Sequence, residues 1–118
     1  MANQLIDIKI VSQLKALQKS SGADLLGKLL GIFEKDFPVQ LNSIKEALNA
    51  KDFEKIAQVA HKMRSSAGNV GAAVISKTAG EIEEMIVDLE LKDEKKLSEL
   101  IAKMESVYLE SLNQIKAA

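Results

Sequence analysis

The stretch Asp24-Leu-Leu-Gly-Lys-Leu-Leu-Gly-Ile-Phe-Glu-Lys-Asp-Phe-Pro-Val-Gln-Leu-Asn-Ser-Ile-Lys-Glu-Ala-Leu48 decides the architecture. Its apolar residues Leu26, Leu29, Leu30, Phe33, Phe37, Leu41, Ile44 and Leu48 step by three and four, which places them on one stripe of a long helix. Pro38 removes one backbone donor from that helix, so a kink or a break is expected near Asp36 and Phe37. The stripe keeps its phase across the proline, which favours the kink. Gly22-Ala-Asp-Leu-Leu-Gly27-Lys28 has the glycine and lysine spacing of a phosphate-binding loop. Leu29 stands where Ser or Thr must reach magnesium, and no strand precedes it.

Working outward, the same pattern repeats. Towards the N-terminus, Ile10, Leu14 and Leu17 suggest a short helix, closed by Lys19-Ser20-Ser21-Gly22. Towards the C-terminus, Asp52 can cap a helix carrying Phe53, Ile56, Ala60, Met63 and Ala67, which ends in Gly68-Asn69-Val70-Gly71. A fourth helix carries Ile75, Ala79, Ile82, Met85, Ile86 and Leu89, tolerating Gly80. Asp93 can cap a fifth with Leu97, Leu100, Ile101, Met104, Tyr108, Leu112 and Ile115. The expected fold is all-α: an antiparallel four-helix bundle over about residues 23–116, with an extra short N-terminal helix over about 7–18 packed on one end. The 118 residues make one domain, 1–118, and no repeat or linker interrupts it.

Composition narrows the function. Apolar residues are 47% and charged ones 28%, enough for a packed core, and aromatics at 3% with one proline disfavour sheets. Sixteen Lys and Arg against 17 Asp and Glu lack the basic excess that nucleic-acid backbones demand. The absence of cysteine removes disulfides, zinc knuckles and thiol catalysis and points to the cytoplasm. Met1-Ala2-Asn3-Gln4-Leu5-Ile6-Asp7 lacks a signal-peptide pattern, and no run approaches a membrane span.

Two singletons stand out. His61 is the one histidine and Arg64 the one arginine; the other basic residues are all lysine. On a helical wheel His61 lies about 120° from the core direction, and Arg64, Ser65 and Gly68 share its sector. Lys62 points further into solvent. This face supplies an accessible imidazole, a fixed positive charge, a hydroxyl and a gap in side-chain cover, the parts for holding a phosphoryl group. A surface histidine near an arginine is also, in many proteins, mere decoration. Ser65 or Ser66 as a histidine-activated nucleophile lacks a strained elbow, an orienting acid and an oxyanion pair. One histidine cannot build a di-iron bundle, and Gln58 stands at the offset where such a site needs glutamate. Glu81, Glu83 and Glu84 lack partner ligands and read as a solvated face, so no metal is expected. Met63, Met85 and Met104 read as packing.

Ala60-His61-Lys62-Met63-Arg64-Ser65-Ser66-Ala67-Gly68-Asn69-Val70-Gly71-Ala72 resembles the signature of histidine-containing phosphotransfer (HPt) domains. Phe33 to Leu41, with Ala47-Leu48 and Asp52, looks like that family's second helix and its link into the histidine helix. The similarity covers the chain from about Asp24 to the last helix. The resemblance implies a phosphorelay intermediate: His61 takes a phosphoryl group from a receiver-domain aspartyl phosphate, or from a kinase, and passes it to another receiver aspartate. It implies Arg64 as phosphate support and Ser65, Gly68 and Lys62 as the receiver-docking face. The partners would be response-regulator receivers and a hybrid histidine kinase, the receiver bringing the magnesium, so that this chain is a carrier more than an enzyme, a monomer with no cofactor of its own. Arg64 replaces the family's usual lysine and Ser65 its usual glycine. A helical adaptor or inhibitor that docks a receiver or kinase without using His61 is the alternative; a bundle that oligomerises through an apolar face is a third.

Overall fold

The computed structural model describes residues 4–118. The part of the N-terminal reading that rests on Met1, Ala2 and Asn3 lies outside them. Five helices follow in order: α1 Ile8–Ser21, α2 Leu25–Asn49, α3 Phe53–Asn69, α4 Ala73–Val87 and α5 Glu94–Ala117. Among the described residues there is no strand. Each of α1, α2, α3 and α5 begins at an aspartate whose carboxylate accepts from a backbone N–H of the first turn. Asp7 takes Lys9 N–H at 3.0 Å, Asp24 takes Gly27 at 2.8 Å, and Asp52 and Asp93 take Lys55 and Lys96 at 3.1 Å. The capping roles expected of Asp52 and Asp93 are thus realised.

Short connections place consecutive helices side by side in opposite directions. Helix α3 packs on α2 and α4, α4 packs on α5, and α5 closes the bundle against α2, while α1 contacts α2. The core holds the predicted stripes: Phe33, Phe37 and Ile44 of α2, Ile56, Ala60, Met63 and Ala67 of α3, Ile75, Ala79 and Ile82 of α4, and Leu97, Ile101, Met104 and Ile115 of α5 are all buried. Among the described residues, no helix is long and apolar enough to cross a membrane.

Two expectations shift, at the ends of α1 and α4, and one, at Pro38, holds. Helix α1 runs to Ser21, beyond 18, because the serines do not break it. Ser20 and Ser21 donate their hydroxyls back to Leu17 O, and Gly22, in the left-handed conformation at φ 75°, ends the helix. Its buried residue is Val11, whereas Leu17 is exposed. Helix α4 stops at Val87, and the N–H groups of Asp88 and Leu89 both turn back to Glu84 O at 3.0 Å, which leaves Leu89 exposed. Helix α2 continues through Pro38 with no break. Proline lacks the N–H that Glu34 O would otherwise accept, and the Tyr108 hydroxyl of α5 donates to that carbonyl at 3.4 Å. Tyr108 also stacks on Phe37, with centroids 4.2 Å apart and planes 7° from parallel.

Candidate functional site

The site is built by α3 and α4, whose backbones approach closely because small residues line their seam. The turn between them is Val70-Gly71-Ala72. Gly71 there has φ 81°, accepts Asp7 N–H on its carbonyl at 2.8 Å, and leaves no room for a Cβ against Val11 and Asp7 O. From this turn the two helices run antiparallel in a register centred on Ala72. Gly68 faces Ser76, Arg64 faces Gly80 and His61 faces Glu83, pairs that stand four, eight and eleven residues either side of Ala72. Those spacings keep to one face of each helix. Ser76 Oγ donates to Arg64 O at 3.0 Å, tying the helices at mid-height. The Arg64 side chain crosses α4 over Gly80, where an added Cβ would lie 3.4 Å from Arg64 Cδ.

His61 is exposed, its side chain 63% accessible, and its Nδ1 lies 2.8 Å from Glu83 Oε2. Arg64 Nη1 donates to the other oxygen of the same carboxylate, Oε1, at 3.2 Å. Glu83 is the sheltered member, with 22% of its side chain accessible against 56% for Arg64. The expectation of a solvated glutamate face is therefore corrected at Glu83, which bridges the imidazole and the guanidinium; Glu84 is exposed as expected. Ser65 and Lys62 are exposed and Gly68 is half-buried.

Two recesses meet at the imidazole. One, of about 740 Å³, has Phe53, Ala57, Ile86 and Val87 as an apolar floor and Lys62 and Lys92 at its edge. Lys92 lies 5.6 Å from the centre of the Phe53 ring, which draws the α4–α5 link over that end. The other recess is polar, and it brings His61 together with Arg64, Gly80 and Glu83. Sequence reasoning missed Glu83, Ser76 and Gly80 as parts of the site. The signal that finds them is their spacing of four and three on α4, mirrored about Ala72 onto the histidine stripe.

The family model of the Hpt domain matches residues 28–118, and the chain belongs to that family. It is a histidine phosphotransfer intermediate of two-component phosphorelays, of the kind that works with receiver domains and histidine kinases. Two solved structures are similar to it. The histidine-containing phosphotransfer domain of ArcB from Escherichia coli is 25% identical, with 96% of this chain and 91% of that one covered and a TM-score of 0.80. Histidine-containing phosphotransfer protein B (HptB) from Pseudomonas aeruginosa PAO1 is 24% identical, with 98% and 95% covered and a TM-score of 0.79. Among curated proteins no sequence matches.

Proposed function

We propose that His61 is the phosphoacceptor of this relay intermediate, that Arg64 steadies the bound phosphoryl group, and that Ser65, Gly68 and Lys62 belong to the face on which a receiver docks. One observation carries the reading: in a chain of a histidine phosphotransfer family, the single histidine stands exposed on the bundle surface with a guanidinium one turn away. An imidazole nitrogen is a competent nucleophile toward phosphorus, and guanidinium N–H groups form charge-assisted bonds to phosphate oxygens. The apolar floor of Phe53, Ala57, Ile86 and Val87 beside the ring gives a receiver surface to cover while it brings its aspartyl phosphate to the imidazole. Phosphoryl transfer depends chiefly on positioning and electrostatics, which a docked, exposed imidazole satisfies.

In this reading the chain is a carrier and its receivers hold the catalytic groups, so it turns over nothing alone. It works as one unit of residues 1–118, as a monomer in the cytoplasm, with receivers and a hybrid histidine kinase as partners. The test is to incubate the protein with a phosphorylated receiver. Phosphate that is acid-labile and alkali-stable is expected on the wild type and absent from His61→Gln. Label persisting in His61→Gln would put the phosphate on another residue, and no transfer from any receiver of the same cell would leave the adaptor role in its place.

A further inference from the structure

Building on the reading of Arg64 as support for the phosphoryl group, we propose that Gly80 is its positioning residue: the missing side chain opens a lane across α4 along which the arginine reaches the imidazole. A glycine inside a helix is destabilising relative to alanine, so its presence calls for a reason. Conformation supplies none, because the glycines of positive φ are Gly22 and Gly71, and Gly80 lies within regular α4. Space supplies one. The atoms that a Cβ at Gly80 would meet within 4 Å are Arg64 Cδ at 3.4 Å and Arg64 Nε at 3.9 Å, both of the same side chain.

The lane has a direction. Helical side chains lean towards the N-terminus of their own helix, which on α3 carries the Arg64 side chain from its own level towards that of His61. On the antiparallel α4 the same displacement runs from Gly80 to Glu83. There Arg64 Nη1 meets Glu83 Oε1 at 3.2 Å, on the carboxylate whose Oε2 faces His61 Nδ1. The guanidinium thus arrives beside the ring by lying over Gly80. Ser76 Oγ, one turn back on α4, donates to Arg64 O at 3.0 Å and fixes the level at which the side chain leaves α3. A methyl group at position 80 would rest on Arg64 Cδ in ordinary van der Waals contact. A longer side chain would fill the polar recess that His61, Arg64, Gly80 and Glu83 share, and turn the guanidinium out to solvent.

The experiment uses the full chain and reads Arg64 directly, because the sole arginine gives a single Nε–H side-chain signal in ¹H–¹⁵N spectra. At mildly acidic pH, where that proton exchanges slowly, the wild-type signal is expected to show the positive heteronuclear NOE of an ordered group. Leucine is a good helix former, so Gly80→Leu should keep α4 while the NOE collapses to that of a mobile side chain. Phosphoryl uptake from a phosphorylated receiver should then slow by about three- to tenfold, as for Arg64→Ala. Gly80→Ala should recover the NOE and most of the rate, and should melt above the wild type. Gly80→Leu combined with Arg64→Ala should be no slower than the slower single variant, since both changes remove the same contact. A mobile Arg64 in the wild type overturns the proposal with no variant needed, as does a Gly80→Leu protein with unchanged NOE or unchanged uptake. A double variant that loses the product of the two single effects also overturns it, by placing position 80 against the receiver itself. A wild type that takes up no phosphate sinks the acceptor role of His61 instead, and the NOE still decides what Gly80 does for Arg64.

Discussion

At the scale of single residues, Arg64 is the side chain on which the proposed function rests most after His61. Its guanidinium spends one N–H on Glu83 and has others to give, a division that the point charge of lysine makes with less geometric definition. Because Arg64 is more than half exposed, solvent weakens each of its bonds. Arg64→Ala is therefore expected to slow phosphoryl uptake by roughly three- to tenfold, with Arg64→Lys close to the wild type. Quench-flow transfer from a labelled receiver measures both, and equal rates for all three proteins would remove Arg64 from the site. His61 and Arg64 were legible in the sequence because each is unique there. Glu83 was not, because nothing in its neighbourhood separates it from the other 16 acidic residues until the register about Ala72 pairs it with His61. That register is a property of two helices packed together, and periodicity within one helix cannot reveal it.

At the scale of elements, the long helices were legible because an apolar stripe of period 3.6 buries itself or the helix does not form, and α2, α3 and α5 have such stripes over many turns. Their ends were less so. Leu89 continues the α4 stripe in phase, yet the chain has already turned back on Glu84 O. The in-phase stripe across Pro38 favoured a continuous helix, but the partner of the Glu34 carbonyl that the proline leaves without an N–H, Tyr108, lies 70 residues away in sequence. The contact between α2 and α5 makes that tyrosine a probe. Burial first, and the Glu34 carboxylate second, push the Tyr108 phenol above its ordinary value of 10.0. A pKa higher in the folded than in the unfolded chain adds stability that is complete below the unfolded value and lost as pH climbs through the folded one. Stability should therefore fall from about pH 10 upward, and Tyr108→Phe should flatten that part of the profile when melting temperatures of the two proteins are compared. Tyr108 is the sole tyrosine, so its ultraviolet absorbance follows the ionisation directly. A phenol midpoint at or below 10 would refute the burial argument.

At the scale of the whole molecule, the least legible feature was how α1 joins the bundle. The family match begins at residue 28, beyond α1, yet Ile6 and Val11 belong to the core. The backbone of the segment before α1 is tied to the α3–α4 turn and to α5. Asp7 N–H reaches Gly71 O at 2.8 Å, Leu5 O takes Val74 N–H at 3.1 Å, and Leu5 N–H reaches the Gln114 side chain at 2.9 Å. Of the expected stripe Ile10, Leu14 and Leu17, Leu14 packs against the core while Leu17 is exposed, because a short helix offers too few turns to fix the phase of a stripe. Docking of α1 on the turn has a measurable signature at Gly71, where a Cβ would lie 3.0 Å from Val11 Cγ2 and 3.1 Å from Asp7 O, in a backbone conformation that L-residues resist. Gly71→Ala should cost about 1–3 kcal/mol. Val11→Ala, which removes two fully buried methyl groups, should cost about 1–2 kcal/mol. The two changes meet at the same contact, and shortening Val11 relieves part of the crowding that the new methyl creates. The double variant is thus expected to lose less than the sum of the singles, by about 0.5 kcal/mol or more, in urea unfolding of all four proteins. Strict additivity would mean that α1 does not rest on the turn in solution. Coupling of this size would establish that the helix preceding the family's matched region braces the turn from which the register of His61 and Glu83 is counted.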